Sequence, residues 1–383
     1  MGIEGRLSIG LGTACGCVDQ VSIDSSRPLS GARLLHGKGV PEALKILPVL
    51  FSICGVAQAC AGVRACEQAL GVKAAAHIEG LREALVAMET MREHLWRILF
   101  DWPAFLGQMP AKNGMKGMLA LQCDHRLALT VGQDPFQLCA ACHFPVSHPS
   151  RDFVKEAGLI LAQTVFDMPP AHWLDIDSLE ALEKWTASVE TVAARLLRHI
   201  MQRQWSEAGR CEVAALPVMQ AGHVQQMLEH NEFIRRPQWF GDCRETTCFT
   251  RVDSPLLQQL RAQYGNGLLV RLVARLTELA QLSANLIPTT MTAAEKESPV
   301  NVQNPGLGQV AAARGQLLHR VRLENARIVH YQILAPTEWN FHPQGVLARS
   351  LAALQGDVVQ MQQQAELLIN AIDPCVGYDL SID

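Results

Sequence analysis

Charge is scarce in this chain. Asp, Glu, Lys and Arg make up 18% of its 383 residues, with 33 basic against 37 acidic side chains and a net charge of -4. No basic excess supports a nucleic-acid partner. Arg235 and Arg236, close to Trp239 and Phe240, read as a solvated loop instead. The start also lacks the features of a leader. Residues 1–11 are Gly-rich and show no basic segment followed by an apolar one. Long apolar runs are missing too: the stretch 49–66 is broken by Ser52, Gln58 and Arg64, short of the roughly 20 residues a spanning helix needs. A cytoplasmic protein without membrane contact is expected. In that reducing setting the twelve cysteines are expected as thiols, metal ligands or core residues rather than a disulfide frame. No Walker or dinucleotide glycine pattern is present, since Gly306-Leu307-Gly308 lacks the third glycine.

What is there is apolar. AVILMFWYC residues reach 49%, enough to bury a large core as one domain or as two to three lobes. Residues 3–11 read as a short strand, and helix is expected from Pro41. Leu81, Leu85, Met88, Leu95 and Leu99 mark one helix face. Residues 102–149, rich in Gly, Pro and Cys, read as loops with short elements. Asp177, three residues before Glu180, is the expected cap of a helix carrying Leu182, Trp185, Val189, Val192 and Leu196. Helical character continues over 220–233 and 255–287, and 289–308 reads as a loop. Leu317, His319, Val321 and Leu323 alternate, so they and residues 328–334 predict a hairpin. Helix returns over 344–369, followed by a short tail. The expected fold class is mainly α with small β elements (α+β). It is read as one unit, 1–383, with an N-terminal part (1–100), a variable helical and Cys-rich region (101–300) and a C-terminal part (301–383).

Two cysteines sit in special surroundings. Cys54 precedes Gly55 at an expected helix start, where the helix dipole favours thiolate. Cys375 follows Asp373-Pro374 in a turn. By spacing alone they are no metal signature, and both also suit buried core thiols. Elsewhere, Cys139-Ala140-Ala141-Cys142-His143 is formally a haem-attachment pattern, which would require export. It is also a zinc half-site that Cys123, His125, Cys243 or Cys248 could complete. The plainer reading is a loop with packed thiols.

Five motifs in order resemble the large subunit of nickel–iron hydrogenases. Ile3-Glu4-Gly5-Arg6 is similar to that family's opening, and Cys54-Gly55-Val56-Ala57 with Ala61 to its Cys-Gly-x-Cys-x-x-x-His. Ala313-Arg314-Gly315-Gln316-Leu317-Leu318-His319 is similar to Pro-Arg-Gly-x-Leu-x-His, and Pro336-Thr337-Glu338-Trp339-Asn340 to Pro-Thr-x-Trp-Asn. Asp373-Pro374-Cys375 with Tyr378 is similar to Asp-Pro-Cys-x-x-Cys. The resemblance implies a hydrogenase-like helical core. It implies that Cys54 and Cys375 match two of four thiolates that hold nickel and an iron carrying cyanide and carbon monoxide. The other two thiolate positions hold Ala57, with no donor, and Tyr378, whose phenol is a poor soft ligand. The family's histidines fall at Ala61 and near Ser381, and no extension for a trimming protease is expected after Asp383.

The pattern resembles the HupK/HoxV-type hydrogenase expression/formation proteins. What that implies is a non-catalytic scaffold or transient carrier of an Fe(CN)2CO fragment, with no stable nickel. Cys54 and Cys375 would be the metal ligands, and Arg314 a donor to cyanide. The implied partners are the iron-fragment-building chaperone complex and the hydrogenase large-subunit precursor. A cargo-free chaperone that mimics the large subunit is the alternative. Glu4 is assigned little, and His319, Trp339 and Asn340 are read as packing residues.

Overall fold

Alternation builds the first sheet. In the computed structural model, which describes residues 5–130, 134–138, 151–285 and 305–383, β1 (Arg6–Ala14) turns Leu7, Ile9 and Leu11 inward. Each such side chain contributes about 1.5–3 kcal/mol by leaving water. The strand read over 3–11 therefore exists, but it runs on to Ala14 and returns as β2 (Cys17–Ser25). Cys15 and Gly16 form the two-residue turn between them, both at positive φ. That is the backbone a tight hairpin requires. β6 (Gly377–Ile382), made from the tail, lies parallel to β1 with Leu7 opposite Tyr378. The two ends of the chain are thereby tied into one sheet of order β2-β1-β6.

The second sheet is an antiparallel meander of β3 (Gly306–Ala312), β4 (Gly315–Glu324) and β5 (Arg327–Leu334). The predicted hairpin is β4–β5, turning at Asn325-Ala326, both left-handed. β3 begins within the residues read as loop, 289–308, and runs on to Ala312. Its two glycines hid it, and they exist because helix α2 (Gly55–Leu70) lies against the strand. A Cβ on Gly308 would come 1.9 Å from the Ala61 carbonyl oxygen.

Helices supply the rest. α1 (Val40–Leu50) leads to α2 through a 3₁₀ turn, Ser52–Cys54, and α3 (Ala76–Trp96) packs on α2. The region read as loops after Trp102 instead contains the helix Lys112–Thr130. Its glycines and cysteine are tolerated there because Met115, Met118, Gln122 and His125 form one buried face. The expected Asp177 cap is one residue off. Ser178 accepts the Ala181 N–H, and the helix ends at Ser188 before Thr191 caps a second one, Val192–Gln202. The C-terminal helix is likewise two pieces, Val346–Ala352 and Val358–Ile372, divided at Gly356.

One apolar cluster draws residues from Leu7 through Val376, with a smaller one around Trp239 and Trp339. Among the described residues no single helix is long and apolar enough to cross a membrane. The bent pair α1–α2 would be so only jointly.

Candidate functional site

Three chain segments converge on one part-buried spot. Cys54 is the residue before α2, and Cys375 lies in the turn between the helix Val358–Ile372 and β6. Arg314 is at the tip of the β3–β4 turn. The tail reaches the site because β6 pairs with β1, and α2 reaches it because β3 and β4 pack beneath it. Cys54 and Cys375 lie within electrostatic reach of each other, and Arg27 and Arg314 each act on both.

Each sulfur has a specific neighbour. The Thr337 hydroxyl is 2.9 Å from the Cys375 Sγ and accepts the Cys375 N–H at 3.4 Å. Its own proton is then free to point at the sulfur. Arg27 Nη1 lies 3.8 Å from the same sulfur and 3.0 Å from Glu338 Oε1. Gln58, one turn into α2, donates to Cys54 Sγ at 3.5 Å and accepts from His319 Nε2 at 2.8 Å. Tyr331 is 2.8 Å from His319 Nδ1. Burial, and secondarily Arg27, lower the His319 pKa to about 3, so the ring is neutral. The amide oxygen of Gln58 can only accept, which assigns the proton to Nε2 and leaves Nδ1 to accept from the phenol. His319 is thus a satisfied packing histidine, as expected.

The helix dipole does not win at Cys54. Burial pushes its thiol well above the usual range, and the charges of Cys375 and Glu89 push it further. Glu89 itself occupies the start of α2, accepting the Val56 N–H at 2.8 Å and the Ala57 N–H at 2.9 Å. At pH 8, iodoacetamide should alkylate Cys54 at least about tenfold more slowly than the exposed Cys17, because only thiolate reacts. Peptide mass spectrometry reads this directly, and equal rates would contradict the assignment.

Arg314 is almost fully buried. Its Nε donates to Asp373 at 3.1 Å and one Nη to Glu93 at 3.0 Å. Burial works against its charge, but Asp373, Glu93, Cys375 and Cys54 outweigh it and raise the pKa. Nη1 is buried with no hydrogen-bond partner among the described residues. An unmet buried donor is costly, so Arg314 keeps a free N–H for an acceptor. Asn340 holds the turn by donating to the Arg314 carbonyl at 3.1 Å and accepting from Thr246 N–H at 2.9 Å.

The other two positions do not complete a thiolate cage. Ala57 is fully buried and offers only a methyl. The Tyr378 phenol lies among Glu366, Asp101 and Arg97, and burial raises its pKa. The residues present do not fit a four-thiolate nickel–iron centre. Sequence reasoning missed Arg27, Gln58, Glu89 and Thr337. Gln58 lies at i+4 from Cys54, which could have flagged it, whereas Arg27 gave no local signal.

The haem-like motif Cys139, Cys142 and His143 lies outside the described residues, as does Glu4. Of the cysteines offered as zinc partners, Cys243 is 3.2 Å from His342 Nδ1, while Cys248 is buried near Glu278 and Arg275. Cys123 is exposed. Among the described residues no three His, Cys, Asp or Glu side chains are grouped to hold a metal, and all cysteines are free.

Comparison with known proteins gives the family. The family model described as nickel-dependent hydrogenase matches residues 245–378. A hydrogenase expression/formation protein HoxV from Cupriavidus necator is 30% identical, covering 98% of this chain and 95% of its own. The chain belongs to the HupK/HoxV family of hydrogenase expression/formation proteins. HupK from Azotobacter vinelandii, 28% identical, covers 99% of both chains. The Ni-Fe-Se hydrogenase from D. vulgaris Hildenborough shares the fold, with a TM-score of 0.63, 16% identity and coverage of 95% and 94%. The HupK/HoxV fold is therefore a hydrogenase large-subunit fold, mostly helical with small sheets, as the sequence predicts.

Proposed function

We propose that this protein is a non-catalytic, cytoplasmic maturation factor for nickel–iron hydrogenase that carries the Fe(CN)2CO fragment as cargo. It would receive the fragment from the chaperone complex that builds it and pass it to the large-subunit precursor. The observation that carries this reading is the pairing of Cys54 with Cys375 at one part-buried site whose other two ligand positions hold Ala57 and Tyr378. Two thiolates suffice for an iron that already bears three diatomic ligands. A second metal would lack the soft donors that retain it, so the cargo stays releasable.

The surroundings suit such cargo. Arg314 Nη1 is a free donor for a cyanide nitrogen, and Arg27 balances thiolate charge. Because Cys54 is held protonated, iron binding must displace a proton, which ties loading to ligand deprotonation.

The test is maturation in a strain lacking this protein. Cys54→Ala and Cys375→Ala, at wild-type protein levels, should each lower hydrogenase activity in the cells at least about tenfold. Full maturation by both variants would reject the carrier and favour a cargo-free chaperone that holds maturation proteins by its large-subunit shape.

A further inference from the structure

We propose that the cleft outside Arg27 is a port that admits a small anionic ligand to the Cys54–Cys375 pair. The cleft has a volume of about 310 Å³ and is lined by Arg27, Arg33, His36, Arg235, His330 and Glu338, among others. Three guanidiniums face one carboxylate, a local excess of two positive charges in a chain of net charge -4. Glu338 is paired with Arg27, its Oε1 accepting from that guanidinium and its Oε2 from the Ala335 N–H. Neither Arg33 nor Arg235 has an ion pair among the described residues. The imidazoles of His36 and His330 lie 5.8 Å apart. Burial, then His330 and Arg33, hold the His36 pKa down, as expected where positive charge is crowded.

Arg27 joins this cleft to the site. Its side chain is 11% exposed, its guanidinium lies over the Phe51 ring at 5.9 Å, and one nitrogen is 3.8 Å from Cys375 Sγ. It is a wall of the cleft and a neighbour of the thiol at once. A cation-lined cleft with low-dielectric walls concentrates anions and speeds their arrival by about 10–10³-fold. The identity of the ligand, the cyanide-bearing iron fragment, rests on the carrier reading. The port itself does not.

Two alkylating reagents of similar size but different charge test it on the full-length protein. Rates at Cys375 with iodoacetate and with iodoacetamide are measured by peptide mass spectrometry, each normalised to Cys17. Their ratio cancels the thiolate fraction and steric access, leaving the effect of reagent charge. The wild-type ratio should fall at least about fivefold in Arg33→Glu/Arg235→Glu, and about half as much, on a logarithmic scale, in Arg33→Gln/Arg235→Gln. In 0.5 M salt the wild-type ratio should fall toward that of the variant. Both arginines are exposed, so the fold should persist, and an unchanged iodoacetamide rate confirms it. A ratio that ignores both substitutions overturns the port even if the cysteine variants fail in maturation. A shifted ratio alongside cysteine variants that mature hydrogenase normally would keep the port and reject the carrier.

Discussion

Asp373→Asn is expected to lower the unfolding free energy by about 3–5 kcal/mol, the usual cost of stripping one partner from a buried charge network. Asp373 is the hub of that network. It accepts from Arg97 Nε at 2.8 Å, Arg314 Nε at 3.1 Å and Arg275 at 3.4 Å, and it is 3% exposed. Asparagine keeps the shape and tolerates the positive φ of 68°, so the loss reports charge rather than backbone. Removing it leaves three guanidiniums facing one another, with Glu93, Asp101, the Asn370 amide oxygen and main-chain carbonyls as their remaining acceptors.

The pH dependence carries a definite sign. Burial would raise the Asp373 pKa, but Arg314, Arg97 and Arg275 outweigh it and hold the carboxyl far below its usual range. The unfolded chain therefore binds the proton first. The stabilisation is complete above about pH 5 and shrinks as pH falls. The gap between wild type and variant in urea unfolding should narrow by about 1 kcal/mol from pH 7 to pH 3. A gap that is small at pH 7, or that widens in acid, would contradict the network.

Gly308→Ala is expected to cost at least about 3 kcal/mol and to remove most soluble protein at 37 °C. The added Cβ would meet the Ala61 carbonyl oxygen at 1.9 Å and the Ala65 nitrogen at 2.8 Å. Both are backbone atoms, so no rotamer relieves the clash and β3 must move off α2, which is the upper end of overpacking costs. Urea unfolding measures the loss. Surviving protein should show faster alkylation of Cys54, because α2 carries that residue at its start. Unchanged stability would mean that strand and helix do not meet as described.

The same two places show what could be read from the chain. Strand alternation was visible in Leu317 to Leu323 although β4 is buried on both sides as far as Val321, and apolar spacing revealed α3. β3 was illegible because its glycines answer a tertiary demand, the close approach of α2, which leaves no local periodicity. β2 was missed because its exposed side is polar and its inward residues, Val18 and Ile23, lie five positions apart across a bulge. The tail strand pairs only with residues some 370 positions away, beyond any local pattern.

At the site, Cys54, Cys375 and Arg314 were legible through motif resemblance, and the structure brings them together. Arg27 was not, since its contacts are with Glu338 and Cys375, 311 and 348 positions away along the chain. The expected dipole effect on Cys54 was also the wrong balance. A helix start contributes a fraction to about 2 kcal/mol, whereas burial first, and then the neighbouring Cys375 and Glu89, act against the thiolate.

The infrared spectrum of the protein isolated from cells that express the maturation machinery tests the central claim most directly. Cyanide and carbonyl stretching bands should be present in the wild type and absent from both Cys54→Ala and Cys375→Ala. Bands that persist undiminished in either variant, or a band-free, iron-free wild type that still supports hydrogenase maturation, would contradict it.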